Sequence, residues 1–515
     1  MTILAQASQA PLWIVGGYLC LLLGLGVISS RFFRGTSTDF FVASRSIGPF
    51  MLLMSVFGTT MTAFALVGST GKAYTTGIGV YGLMASWSGL IHSAVFFLVG
   101  IKLWAIGKRY GYVTQCQFFR DRFDSPALGY LLFPILVALI IPYLLIGLIG
   151  AGSVMRGVTI GMFPDVFTQS RGAVPPSLTG LVICGVVLFY VFFGGVRSTA
   201  WANTFQTIVF MVTGIIAFVL IAKALGGLAE ASQLVEQNAP EHLAREGLIG
   251  KAQFASYLFV PLSVGMFPHL FQHWLTARSA KSFRLTVVAH PLFIMIVWTP
   301  CILIGIWALG KGITPPPKAT ANAILAVTVK TLLHNPYLTG LLTAGILAAI
   351  MSSLDSQFMC LGTMFTNDIT VRLFGPDRLS DGQKLWMGRS FVVVIVTVTY
   401  LLSLLRPPHI FDLGVWCFSG FGSLFPLVFA AIYWRRATKA GAICCVLVTA
   451  AVWITFFLQD FTTKSGSGNG EFLVLGMMPV AIIFAASAIS LVVVSALTRP
   501  PPAATINKFV PPLSS

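Results

Sequence analysis

Five consecutive or near-consecutive polar residues interrupt an apolar run: Ser352, Ser353, Asp355, Ser356 and Gln357 lie within GILAAIMSSLDSQFMCLGTMFTND at 345–368. The run is long enough to cross a bilayer as one helix. A carboxylate at the centre of such a helix costs at least about 2.5 kcal/mol. Asp355 must therefore turn toward a bundle interior and meet something that compensates its charge. Ser352 and Ser356 are four residues apart and share a helix face, with Asp355 beside them. Hydroxyl and carboxylate oxygens on one face are hard ligands of the kind small cations take. Serines alone also serve close helix packing or bond back to their own backbone. Packing does not call for a carboxylate.

The elements that would hold this face are membrane helices. The chain has 515 residues, of which 56% are hydrophobic and only 9% charged, against about 25% charged in soluble proteins. Apolar runs of about 20 residues recur throughout, which predicts a polytopic all-α membrane protein rather than a β-barrel. The formal net charge of +17 would suggest nucleic acid in a soluble protein. Here the basic residues sit in short loops between apolar runs, so they set topology and no nucleic-acid partner is expected. The eight cysteines show no metal-type spacing and read as small packing residues. The first ten residues carry no positive charge ahead of the first apolar run, which predicts a retained span rather than a cleaved signal. There is no Walker A sequence, and no paired acid/base constellation that would make an enzyme.

Thirteen spans are expected, near 11–33, 47–70, 77–105, 127–155, 177–194, 199–223, 252–276, 284–309, 337–367, 385–405, 409–433, 437–459 and 473–497. Every second connection is basic: Arg31, Arg34 and Arg45 follow the first span, Lys108 and Arg109 the third, Arg435 and Arg436 the eleventh. The positive-inside rule then places the N-terminus outside and the C-terminus in the cytoplasm. The connections 224–251 and 310–336 are less apolar and are expected to hold short surface helices. The tail TRPPPAATINKFVPPLSS is Pro-rich and expected to be disordered.

Two spans carry their own breaks. The second has Gly58, Thr59, Thr60 and Thr62 at its middle, which weaken a helix. The seventh has Pro261, Gly265 and Pro268, with His269 next to the second proline. Proline removes a donor and frees a carbonyl, and such backbone at membrane depth is tolerated only where it lines a cavity or meets a ligand. Each broken span opens a block of five, 47–223 and 252–433. Five is odd, so the blocks run with inverted topology, and paired breaks in inverted repeats point to a midplane binding site. Ordinary kinks are the alternative. The resulting division is an extra N-terminal helix and loop (1–46), the first repeat (47–223), a connection (224–251), the second repeat (252–433), two C-terminal helices (434–497) and the tail (498–515).

The stretch FGGVRSTAWANTFQTIVFMV at 192–211 resembles the signature of the sodium:solute symporter family, and SIGPFMLLMSVFGTTMTA at 46–63 resembles the first core helix of its proline permease-like members. QHWLTARSAKSFR at 272–284 and AAIMSSLDSQ at 348–357 are similar to the family's seventh and ninth spans. The resemblance covers essentially the whole chain. It implies the leucine-transporter fold, a five-plus-five inverted repeat, and sodium-coupled uptake of a small organic solute across the cytoplasmic membrane. It also implies a sodium ion held by the carbonyls of Gly58, Met61 and Ala349 and the hydroxyls of Ser352 and Ser353. Two departures stand out. Many members have an aspartate in the fifth core helix where this chain has Asn203, and proline permease-like members have another in the first where it has Thr60. Sialic-acid-transporting members hold a further sodium between the fifth and eighth core helices. Mapped here, that pocket comprises Asn203, Ser352, Asp355 and Ser356, so the carboxylate missing at 203 reappears at 355. The pocket is expected to take a second cation or an exchangeable proton, with residues 203 and 355 facing each other; a structural aspartate bonded to Asn203 is the alternative.

The family's solute site lies beside the helix breaks. Its candidates here are Phe64, Phe267, His269, Trp416 and Ser419. The polar lining of the sugar transporters is not evident, and half-helix ends offer partial positive charge, so a carboxylate-bearing solute such as an amino acid, monocarboxylate or vitamin is expected. The readings left beside symport are a proton-coupled carrier or uniporter of the same fold, and a transporter-like sensor module.

Overall fold

The computed structural model describes residues 8–31, 35–315, 320–375, 378–405, 410–464 and 472–510; Arg34 and the last five residues of the tail lie outside them. Among these residues the secondary structure is helical, with two isolated β-bridges. Among the described residues ten helices are long and apolar enough to span a bilayer, or twelve when two bent pairs each count as one span. The Pro176–Ala224 helix leaves helical geometry at Gly195 (φ 59°, ψ −157°). That break divides it where the sequence reading puts the boundary of its fifth and sixth spans. Helices are the solution because hydrocarbon supplies no hydrogen bonds, so each segment must satisfy its own backbone. The outer surface is apolar, with Leu90, Phe97, Val288 and Leu401 exposed. The innermost spans are Pro336–Phe374 and Ile410–Tyr433, each 83% buried over its most apolar window, against 28% for Ala10–Ser29. The helix carrying Asp355 is thus wrapped by others on all sides.

Both expected breaks are present. Pro49–Thr60 and Phe64–Thr76 meet at 57°, and Lys251–Gly265 and Pro268–Thr276 at 50°. At the first, Met61 turns extended (φ −89°, ψ 90°), and the Thr62 hydroxyl accepts from the Phe64 N–H at 3.0 Å, capping the second half. Phe64–Gly68 is then π-helical, a local widening common at functional sites. At the second, Phe267 is extended (ψ 116°) and Pro268 opens the next helix. A residue before proline is pushed out of the helical region, and proline suits a helix's first position. The remote ends of the two broken spans are pinned together: Ile47 N–H donates to the Thr276 carbonyl (3.0 Å) and Arg278 N–H to that of Ile47 (2.9 Å).

Glycines set the closest approaches. A Cβ on Gly345 would lie 1.8 Å from Thr213 Oγ1, and one on Gly58 2.4 Å from Thr207 Oγ1. The helices 336–364 and 49–60 therefore pack on 176–224 at a distance only glycine permits.

One connection and the tail differ from expectation. Ile324–Leu333 is not a surface helix: Ile324, Leu325 and Val329 are buried. The tail is not wholly disordered: Ala503–Phe509 forms a helix whose Phe509 is 3% exposed. Its ring meets Phe118 (6.0 Å) and Tyr110 (5.9 Å), while Lys508 pairs with Asp121 and Arg435 donates to the Val510 carbonyl (3.2 Å). The prolines end before Ala503 and fix where the helix starts; one aromatic side chain then anchors it. All eight cysteines are free and six of them are buried.

Candidate cation and solute site

The first broken span meets the 336–364 helix at Ser352. Its fully buried hydroxyl lies 2.7 Å from the Gly58 carbonyl oxygen and 2.9 Å from that of Ala349. The Gly58 carbonyl also accepts the Met61 N–H at 3.3 Å. Three hard oxygens from two helices thus converge where one helix stops, the donor type that suits a small cation. Ser353 turns its hydroxyl to the Ile350 carbonyl of its own helix (3.0 Å). Met61 enters the cluster through its N–H. Of the five residues expected in the cage, the structure joins Gly58, Ala349 and Ser352 by direct oxygen contacts.

One turn on, Asp355 is fully buried. It accepts from the Tyr190 hydroxyl and from Ser356 Oγ, each at 3.0 Å. With its oxygen 2.9 Å from Ser356, the Asn203 amide sets its nitrogen 3.1 Å from each Asp355 oxygen and 3.0 Å from the Ser352 carbonyl; the opposite orientation would face its oxygen to acceptors. Residues 203 and 355 therefore meet directly rather than across a gap. Ser356 Oγ also lies 2.9 Å from His273 Nε2. The other neighbours of Ser356 are acceptors that claim its proton, so His273 donates from Nε2. Tyr190 and His273 were not among the expected site residues. Polar QH in an otherwise apolar helix was the signal for the second; nothing marks Tyr190 among the many aromatic residues of its span.

The structure gathers Phe64, Phe267 and His269 at the two breaks. It adds Tyr143 and Phe418, which the sequence reading missed. Tyr143 lies 4.9 Å from Phe418 and 5.3 Å from Phe267 between ring centroids. Phe418 lies 4.9 Å from Phe64 and 5.6 Å from Phe267. The His269 ring stacks on Phe267 at 5.1 Å and meets Tyr143 edge-on at 5.6 Å. Trp416 and Ser419 go elsewhere. Trp416 donates from Nε1 to Asp460 (2.8 Å) and packs on Trp453 and Phe457 of the Lys439–Lys464 helix. With Ser419, Asp412 and Phe472 it lines a crevice. Residues 416 and 418 are about 200° apart around a helix, so only one can face the breaks, and it is Phe418.

The match to a family model decides what this arrangement belongs to: the model for the sodium:solute symporter family covers residues 40–449. The chain belongs to the sodium:solute symporter family. As a member of this family it is a multi-pass membrane transporter, not an enzyme. It is 25% identical to the sodium/pantothenate symporter of Escherichia coli (strain K12), over 85% of this chain and 88% of that protein. It is 26% identical to a sodium/proline symporter of Haemophilus influenzae, over 96% and 95%. Among solved structures, a Na+-coupled sialic acid symporter in a substrate-bound, outward-open state superposes with a TM-score of 0.75 at 18% identity, covering 95% of this chain and 98% of that one. Mhp1, a nucleobase-cation-symport-1 family transporter in a closed conformation, gives 0.55 at 12% identity, covering 91% and 97%. These likenesses establish the leucine-transporter-like fold of this symporter-family chain.

Proposed function

We propose that the chain is a sodium-coupled importer of a small organic solute, working by alternating access in the cell membrane. Sodium is the coupling ion and is cargo, held by Gly58, Met61, Ala349, Ser352 and Ser353. One observation carries the reading: the Ser352 hydroxyl bridges the Gly58 and Ala349 carbonyls across the break of the first span. A cation among these oxygens ties the broken helix to the buried 336–364 helix. Loss of the cation loosens that tie, so ion occupancy and helix position depend on each other. In the same reading, Asn203, Asp355 and Ser356 take a second cation or an exchangeable proton. The repeats are 47–223 and 252–433, the N-terminus is outside and the C-terminus cytoplasmic. The solute bears a carboxylate, as an amino acid, monocarboxylate or vitamin does. The relatives named for proline and pantothenate support that class.

Proton coupling is the second reading. It draws on the fully buried Asp355, whose hydrogen-bond partners Tyr190, Asn203 and Ser356 are neutral. Reconstitution into liposomes separates the two. Under an imposed sodium gradient at equal pH, labelled proline or pantothenate should accumulate above the level reached with potassium. Accumulation that follows only a proton gradient would replace the first reading with the second.

A further inference from the structure

The solute class can be narrowed, on the reading that solute binds at the two breaks. We infer that the solute is a monocarboxylate with an apolar body: the body packs on Phe64, Tyr143, Phe267 and Phe418, and the carboxylate is taken by His269 at the amino-terminal end of the Pro268–Thr276 helix.

Three observations converge. The first is His269 itself. It is fully buried, and among the described residues neither ring nitrogen has a hydrogen-bond partner. Buried polar side chains are nearly always partnered, and an exception calls for a reason. A neutral imidazole carries one donor and one acceptor, so a ligand oxygen at the donor nitrogen supplies the missing partner.

The second is where His269 stands. It is the second residue of a nine-residue helix whose first residue is Pro268. Proline has no N–H, so the first free donors belong to His269 and Leu270, while the Phe271 N–H is already on the Phe267 carbonyl (3.0 Å). A helix start presents unpaired N–H groups and partial positive charge, which suits an anion and disfavours a cation. The imidazole and the helix end thus serve the same oxygens.

The third is the wall opposite. Phe64, Tyr143, Phe267 and Phe418 pack on one another, and Phe64 and Phe267 also on Phe411 and Phe421. Tyr143 supplies the one hydroxyl among the four rings. Every hydroxyl of a sugar would need a partner when buried, and four rings with one hydroxyl cannot supply them. Alkyl or ring carbon replaces ring–ring contact with ring–solute contact at no such cost. Phe411 stacks on Phe64 at 5.3 Å and also lines the neighbouring crevice.

Proline and a short alkyl acid share a carboxylate and an apolar body, and a thermal-shift experiment on the purified full chain tells them apart. Proline, butyrate, prolinamide and galactose are each added in sodium chloride and in potassium chloride. A folded protein gains stability with ligand as RT ln(1 + [L]/Kd). At least one of the two acids should raise the melting temperature in sodium; prolinamide and galactose should not. His269→Ala should weaken the stabilising acid tenfold or more, and His269→Gln, which keeps a donor, should recover part. The shift produced by sodium alone should stay unchanged in both variants. Stabilisation by galactose or prolinamide equal to that by the acids, or by none of the acids, overturns the inference. An intact sodium-only shift in that case leaves the symport reading standing; its absence removes that reading too. If His269→Ala is not recovered folded, the wild-type comparison of proline with prolinamide decides alone.

Discussion

Ser352→Ala is the sharpest probe of the cation site. The substitution removes one oxygen, that lying 2.7 Å from the Gly58 carbonyl and 2.9 Å from that of Ala349, from a position with no exposure. Nothing enlarges, so the helix keeps its packing. The Gly58 carbonyl retains the Met61 N–H at 3.3 Å, so it is not orphaned, and stability should fall by only about 1 kcal/mol. The ion loses more, because a buried contact to a charged group is worth about 1.5–3 kcal/mol. At about 1.4 kcal/mol per factor of ten, the half-saturating sodium concentration should rise roughly ten- to hundredfold. The assay is uptake in proteoliposomes against sodium concentration at fixed solute. The double change Ser352→Ala with Ser353→Ala then asks whether Ser353 leaves the Ile350 carbonyl to join the cage. If it does, a further rise of about tenfold follows; if it stays on its own helix, the double mutant matches the single one. A folded Ser352→Ala protein with wild-type sodium dependence would refute the reasoning and put the cation elsewhere.

Asp355→Asn should weaken coupling of solute flux to the ion gradient, and Asn203→Asp with Asp355→Ser should restore part of it, since the two groups lie 3.1 Å apart; equal loss in both would speak for a purely structural aspartate. Gly345→Ala should destabilise by about 1–3 kcal/mol, read as a lower melting temperature, because its Cβ would lie 2.8 Å from Thr213 Cβ and no rotation of Thr213 relieves that. Single cysteines at Lys311 and Arg435, both exposed, should react with an impermeant reagent from outside at 311 and not at 435; the reverse pattern would invert the topology. Phe509→Ala should free the tail helix and let a protease added to inside-out vesicles cut near residue 503 faster than in wild type, since the 3% exposed ring is its main apolar anchor.

The two helix breaks were legible because their causes are local. Pro268 cannot continue a helix from Phe267, and Gly58 with three threonines weakens one from within. The buried central helix was legible because a carboxylate such as Asp355 cannot face lipid cheaply. Helical spacing likewise put Ser352 and Ser356 on one face. Spacing gives an angle around one axis and says nothing of which neighbour stands at that angle. Tertiary packing alone turned Phe418 to the breaks and Trp416 to Asp460, brought Tyr143 from a distant span, and set His273 on Ser356. It also closed the expected gap between Asn203 and Asp355. The helices that carry them approach at Gly345, where Thr213 of the neighbouring helix leaves no room for a side chain. Such distances are fixed by two surfaces at once, and a single stretch of sequence holds only one of them.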